Sequence, residues 1–215
     1  KNGGGIGPLL ASGWEYKDSN TLNVSLKDGV KFHSGNILDA DDVVYSFNRL
    51  MDMGQGFSFL FGSVDSVTAL DSKTVQIKTK EPFAPLVASL MRLAIVDKDD
   101  VEAHTVDGNY GDNGDYGEAY LLTTSAGTGA YKITQHDPNV KTVLTKNSDY
   151  FLGHNPKAPD EAIIKYSVEA ATIRTLILRG EHEISSMWLP NEVLAGLEKE
   201  DSVDLVKINR PGSWY

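Results

Sequence analysis

Residues 22–51 read LNVSLKDGVKFHSGNILDADDVVYSFNRLM, and two periodicities meet in them. Leu22, Val24 and Leu26 alternate with Asn23 and Ser25, the period of a strand with one buried face. Asp28-Gly29 follows, then Val30 and Phe32. Apolar alternation on both sides of an Asp-Gly pair predicts a hairpin, because both central residues of a type I′ turn need positive φ. From Asp39 onward the period becomes helical. Asp39 suits an N-cap, and Asp42 suits N3, where a carboxylate complements the helix dipole. Val43, Val44, Phe47, Leu50 and Met51 share one face. They predict a helix from about Ala40 to Met51, ended by Gly54 and Gly56.

Further along, Val67 and Ala69, then Val75 and Ile77, predict a second hairpin over about Ser66 to Lys78, with Asp71-Ser72 near its turn. Pro82 and Pro85 bracket the start of a short helix reaching about Leu93. Residues 97–117 are acidic and Gly-rich, which predicts a loop and a candidate boundary between lobes. Tyr131 and Ile133 lead through Asp137-Pro138-Asn139 to a return strand at Val140–Lys146, a third hairpin. Ile163, Ile164, Tyr166 and Val168 then predict a strand. Ala170, Ile173, Leu176 and Ile177 form a helical stripe closed by Gly180 at C′. Glu183–Met187 predicts a short strand. Pro190 suits N1 of a helix with Val193, Leu194 and Leu197 on its apolar face, and Val203–Ile208 gives a last strand. Residues 161–209 thus read β-α-β-α-β, a pattern that gives parallel strands through right-handed crossovers. The fold class is α/β in the mixed α+β sense, in two parts meeting near residues 120–128.

The chain has 215 residues, 40% of them apolar, and a formal net charge of −10. So acidic a surface repels phosphate backbones, which argues against a nucleic-acid partner, and keeps the protein dissolved. There is no cysteine. That excludes a disulfide framework, a thiolate zinc site and a Cys nucleophile. The longest apolar stretch, Leu86–Val96, is interrupted by Ser89 and Arg92 and falls short of the roughly 20 residues a membrane span needs. Lys1-Asn2-Gly3-Gly4-Gly5 lacks an apolar signal-peptide core.

Motifs for chemistry are scarce. The glycines of residues 3–7 are followed by no Walker lysine. His33, His104, His136, His154 and His182 never stand three or four apart, so metal-ligand spacing is missing. The loop from Asp107 fails the calcium register, with Gly111 at position five and Asp112 at position six. No Gly-x-Ser-x-Gly elbow occurs. No catalytic residue, metal ligand or cofactor is therefore assigned.

Leu9-Leu10-Ala11-Ser12-Gly13-Trp14-Glu15, Lys27-Asp28-Gly29-Val30-Lys31-Phe32-His33-Ser34-Gly35 and Asp39-Ala40-Asp41-Asp42-Val43-Val44-Tyr45-Ser46 together resemble the signature region of family 5 extracellular solute-binding proteins. Gly127-Thr128-Gly129-Ala130-Tyr131-Lys132 is similar to the family's Gly-Thr-Gly-Pro-Tyr-Lys element, with Ala130 in place of proline. Asn147-Ser148-Asp149-Tyr150-Phe151 and the Arg174–Glu181 stretch continue the resemblance in order. It implies a partial fold of the periplasmic-binding-protein type II kind. Residues 1–123 would be its hairpin-and-helix extra subdomain, and residues 124–215 part of the first ligand-binding lobe. The opposite lobe would lie beyond Tyr215. The implied function is capture of oligopeptides, dipeptides or a related small solute outside the cytoplasmic membrane, by a monomer, periplasmic or membrane-anchored. Delivery would be to the permease subunits of an ABC importer. An α/β hydrolase or a sensor domain of the same fold is the alternative.

Ligands on open α/β sheets sit beyond the carboxyl ends of the strands. The β-α-β-α-β reading brings two segments there, Ser186-Met187-Trp188 and Ser213-Trp214-Tyr215. The resemblance implies ligand contact from the same places. Ser186, Met187, Trp188, Trp214 and Tyr215 are the candidate ligand-binding residues. The aromatics offer flat faces with one polar edge, Met187 adapts to irregular shapes, and Ser186 donates or accepts a hydrogen bond. The competing reading of Met187 and Trp188 is a hydrophobic staple under the Pro190 helix.

Overall fold

The computed structural model describes residues 5–166, 168–185 and 188–206. They divide into two compact units. One holds residues 5–137 and 142–164; the other holds residues 138–141, 165–166, 168–185 and 188–206.

In the first unit, β1 (Ala11–Tyr16), β2 (Thr21–Leu26), β3 (Val64–Asp71) and β4 (Thr74–Thr79) form an antiparallel sheet of order β1-β2-β4-β3. Leu22, Leu26, Val67, Val75 and Ile77 turn to one face, as their period of two dictates, and α1 (Ala40–Met53) supplies Val43 and Phe47 to the same core. Phe47 meets Phe61 edge to face, ring centroids 5.6 Å apart. Burying each such ring contributes about 1.5–3 kcal/mol. The predicted helix and its cap are present. Asp39 accepts from the amides of Asp41 and Asp42, the Asp42 side chain accepts from the Asp39 amide, and Gly54 ends the helix in the left-handed region. The second hairpin is the β3–β4 pair.

The first predicted hairpin is not formed. Gly29 does take a positive φ of 68°, but the chain beyond it does not pair back on β2, whose two edges are occupied by β1 and β4. The strand β1, with Gly13 in its middle, went unread in the sequence. Residues 30–38 instead close on themselves: the Phe32 amide donates to Asn36 O and the Leu38 amide to Val30 O. Val30, Phe32 and Leu38 are all buried. Their alternation records burial in a loop, not strand pairing.

The acidic stretch 97–117 is more ordered than a loop, because it contains α3 (Lys98–Ala103), N-capped by Asp97. Val101 packs with Tyr45, Tyr116 and Ala126 in a second apolar cluster, separate from the one under the sheet. Gly114 has a φ of 54° and lies so close to the Val106 carbonyl that a Cβ would collide with it. Two short helices, α2 (Leu86–Ser89) and α4 (Glu118–Leu121), complete this region.

A second sheet has the order β5-β6-β7, from β5 (Tyr131–Asp137), β6 (Lys141–Lys146) and β7 (Glu161–Lys165). The β5–β6 pair is the third predicted hairpin, with Asn139 at positive φ in its turn. The Lys146 amide donates to Asp160 O and the Tyr166 amide to Val140 O, so β6 and β7 run antiparallel. Residues 124–164 belong mostly to the first unit. The His33 amide donates to Gly127 O and the Asp97 amide to Ala126 O, which ties the start of this stretch to the residues before it.

The second unit contains α5 (Ala170–Leu178) and α6 (Asn191–Leu197). Gly180 sits at C′ as expected, with φ 69°. Its amide donates to Ile177 O and that of Glu181 to Leu176 O, the two bonds of a Schellman motif. Pro190 is at the N-cap of α6, not at N1. The β-α-β-α-β reading is corrected here. Its first strand is β7, which pairs antiparallel, and its two helices are present. Residues 183–185 and 203–206 form no strand, and the remainder of both predicted strands lies outside the described residues.

Candidate functional site

Of the candidate ligand-binding residues, Ser186, Met187, Trp214 and Tyr215 lie outside the described residues. Trp188 follows the Schellman turn and precedes α6, and it is 83% exposed. The neighbouring Leu189 is the buried residue. Leu189 occupies N′ relative to the Pro190 cap, the staple position. Trp188 is therefore not that staple. Two buried polar atoms in the same segment, His182 Nε2 and Ser185 Oγ, have no hydrogen-bond partner.

The signature residues occupy a different place. They form an internal clamp in the first unit. His33 Nδ1 lies 2.9 Å from Ser125 Oγ, and its Nε2 lies 3.0 Å from Gly129 O. Asn147 Nδ2 donates to the same Gly129 carbonyl. Ser34 Oγ and Asn36 Nδ2 both donate to the Asp97 carboxylate, which also accepts from the Asp100 amide. Asp97 is only 1% exposed. Asp42 Oδ1 accepts from the Lys98 amide, so Asp42 bridges the starts of α1 and α3. Burial pushes the Asp42 carboxyl up to about 6, against the lowering pull of the Asp39 and Lys98 amides. These groups hydrogen-bond to one another and tie residues 33–36, 97–100 and 125–129 together. The sequence signal for the clamp was the polar run 33–36 between the buried Phe32 and Leu38, whose partners are too distant in the chain to be read.

Two shallow grooves open on the first unit. One, of about 370 Å³, follows β1 and β2 past Ser12, Trp14, Glu15, Lys17, Asn23 and Ser25. The other, of about 330 Å³, lies between the end of α1 and α4, beside Arg49, Met53, Glu118 and Leu122. Neither contains a candidate ligand-binding residue. Among the described residues, no three His, Asp or Glu side chains are placed to hold a metal ion, and no helix is long and apolar enough to cross a membrane.

Two antiparallel sheets, a helix capped by a carboxylate pair and an exposed aromatic between two short helices make the described residues a mixed α+β structure. The model of the bacterial extracellular solute-binding proteins, family 5 (middle region), matches residues 5–215, and the chain belongs to that family. It is 28% identical over 201 residues to the probable D,D-dipeptide-binding periplasmic protein DdpA of Escherichia coli K12, covering 92% of this chain and 37% of the relative. Among solved structures, DppA of Helicobacter pylori, in complex with the peptide STSA, is 27% identical. It superposes with a TM-score of 0.72 over 90% of this chain and 40% of that one. NikZ of Campylobacter jejuni, in complex with Ni(L-His), shares the fold at 20% identity, with a TM-score of 0.73 over 90% of this chain and 37% of that one. The chain spans well under half the length of these relatives.

Proposed function

We propose that this chain belongs to the substrate-binding component of an ABC importer. It would capture a dipeptide, oligopeptide or related small solute outside the cytoplasmic membrane, in the periplasm or tethered to the membrane, and hand it to permease subunits. The family match across residues 5–215 carries this reading. The protein works without catalysis, as a monomer. Residues 1–123 correspond to the extra subdomain and residues 124–215 to part of the first lobe. Ser186-Met187-Trp188 and Trp214-Tyr215 supply one wall of the site, and a second lobe supplies the other. The exposed indole of Trp188 supports this assignment, because a flat apolar face with one polar edge accepts varied side chains while main-chain groups provide hydrogen bonds.

Mass spectrometry of small molecules that copurify with the full-length protein tests the reading directly. Peptides or peptide-like solutes are expected, and calorimetric titration with the same compounds should give saturable binding without turnover. Hydrolysis of the bound peptide, or no binding across a dipeptide and oligopeptide library, would overturn it.

A further inference from the structure

In the first unit, the groove between the end of α1 and α4 continues into an exposed aromatic pair. Arg49, Met53, Gly56, Glu118, Leu121 and Leu122 line the groove, and Leu122 is 69% exposed. Phe57 is bonded directly to Gly56. Its ring centroid lies 6.3 Å from that of Phe59, and both rings are exposed. The Arg92 guanidinium stands 4.9 Å from the centre of the Phe57 ring. Apolar side chains grouped in this way on a surface mark a contact site. Arginine, methionine and aromatics are the residues enriched where proteins meet.

The charges narrow the partner. The chain carries 30 acidic residues against 20 basic ones, so its arginines have no shortage of carboxylates. Arg174 pairs with Glu200 and Arg179 with Glu181. Among the described residues, Arg49 and Arg92 pair with no carboxylate. Arg49 uses Nε on the Tyr116 carbonyl, and Arg92 rests on Phe57. Stacking holds a guanidinium in place and leaves its N–H edge free for a carboxylate. Nor is this surface an unfinished core. Phe61, two residues from Phe59, and Leu86 of α2 are buried. Among the described residues of the first unit, no buried side-chain N or O lacks a hydrogen-bond partner. Nothing beneath the surface requires a permanent cover, which suits a partner that arrives and leaves.

We propose that the groove at Arg49 and Leu122, together with Phe57, Phe59 and Arg92, is where this protein docks on its permease. The permease segment seated there carries an apolar side chain flanked by carboxylates: the groove and the phenyl rings take the first, Arg49 and Arg92 the second. This rests on the reading of the protein as the binding component of an ABC importer. No candidate ligand-binding residue belongs to the surface, so docking and solute capture are separable by mutation.

The test uses the full-length protein and its permease with the attached ATPases in lipid nanodiscs, with solute-stimulated ATP hydrolysis as the readout. Phe59→Asp and Arg92→Glu alter exposed side chains. Each is expected to raise the binding-protein concentration for half-maximal stimulation about tenfold, with solute Kd and Tm unchanged. Arg92→Lys, which keeps the charge but loses the planar fork, should lie between wild type and Arg92→Glu. Leu122→Asp gives the same readout at the groove should either variant fail to fold. An unchanged half-maximal concentration would overturn the proposal. A parallel loss of solute affinity would also overturn it, by placing the surface in the solute site. Residues 1–215 contain no cysteine, so Phe59→Cys adds one maleimide target to the wild-type background. Rapid labelling of the isolated protein is expected. Protection at all protein concentrations would mean cover by its own chain, and protection that grows with concentration would mean a second copy; either overturns the proposal. Wild-type protein that binds no solute and stimulates no hydrolysis would overturn the importer reading and the docking surface with it, a result distinct from failure of the variants alone.

Discussion

Asp97 shows how single side chains decide order in the first unit. Its carboxylate is enclosed and accepts hydrogen bonds from Ser34, Asn36 and the Asp100 amide. Asp97→Ala would leave three donors unsatisfied and is expected to cost about 2–4 kcal/mol, read as a fall in the urea midpoint at unchanged m-value. Asp97→Asn, which keeps one acceptor, should lie between the two. Asp42 offers a pH test. Its folded pKa of about 6 stands above the value of 3.8 for a free aspartate. The folded state thus holds a proton that the unfolded state releases. Asp42's contribution to stability is fully present below about pH 4 and is lost as pH rises through about 6. Asp42→Asn should remove this dependence, so the stability difference between wild type and variant should change between pH 4 and 7. A difference flat across that window would refute the assignment.

At the scale of elements, caps and turns were read from local chemistry. The Asp39 capping box and the Gly180 Schellman turn are both present, because each depends on residues within six positions. Gly180→Ala places a Cβ in the left-handed region and is expected to cost about 1 kcal/mol. Thermal denaturation checks it, and unchanged stability would mean the turn is not held as described. Strand partners were a different matter. The alternation of residues 22–26 correctly marks β2, yet nothing local says that its neighbours are β1 and β4. Gly13 interrupts β1 in sequence, and a strand on the sheet edge needs fewer apolar residues to hold its place.

Across the whole molecule, family membership was legible because several motifs stand in order along the chain. The candidate site was legible only in part. Trp188 is exposed, as the proposed site needs, whereas the parallel sheet that suggested the position is absent from the described residues. In the full-length protein, Trp188→Ala should raise the solute Kd by about tenfold or more, the loss of one aromatic contact worth at least 1.4 kcal/mol. Titration calorimetry checks this, and an unchanged Kd would remove Trp188 from the site.

The sequence by itself determined the capped helix α1, the β3–β4 and β5–β6 hairpins, the glycine stop after α5 and the family. Each of these depends on side-chain period, on backbone conformation at one glycine, or on motifs read in order. Only the tertiary structure decided that Val30 and Phe32 are buried in a loop, that His33, Ser34 and Asn36 close on Ser125, Gly129 and Asp97, and that Leu189 rather than Trp188 is buried before α6. The physical reason is separation along the chain. A polar side chain must find a partner when buried, but which partner it finds is set by packing between segments tens of residues apart.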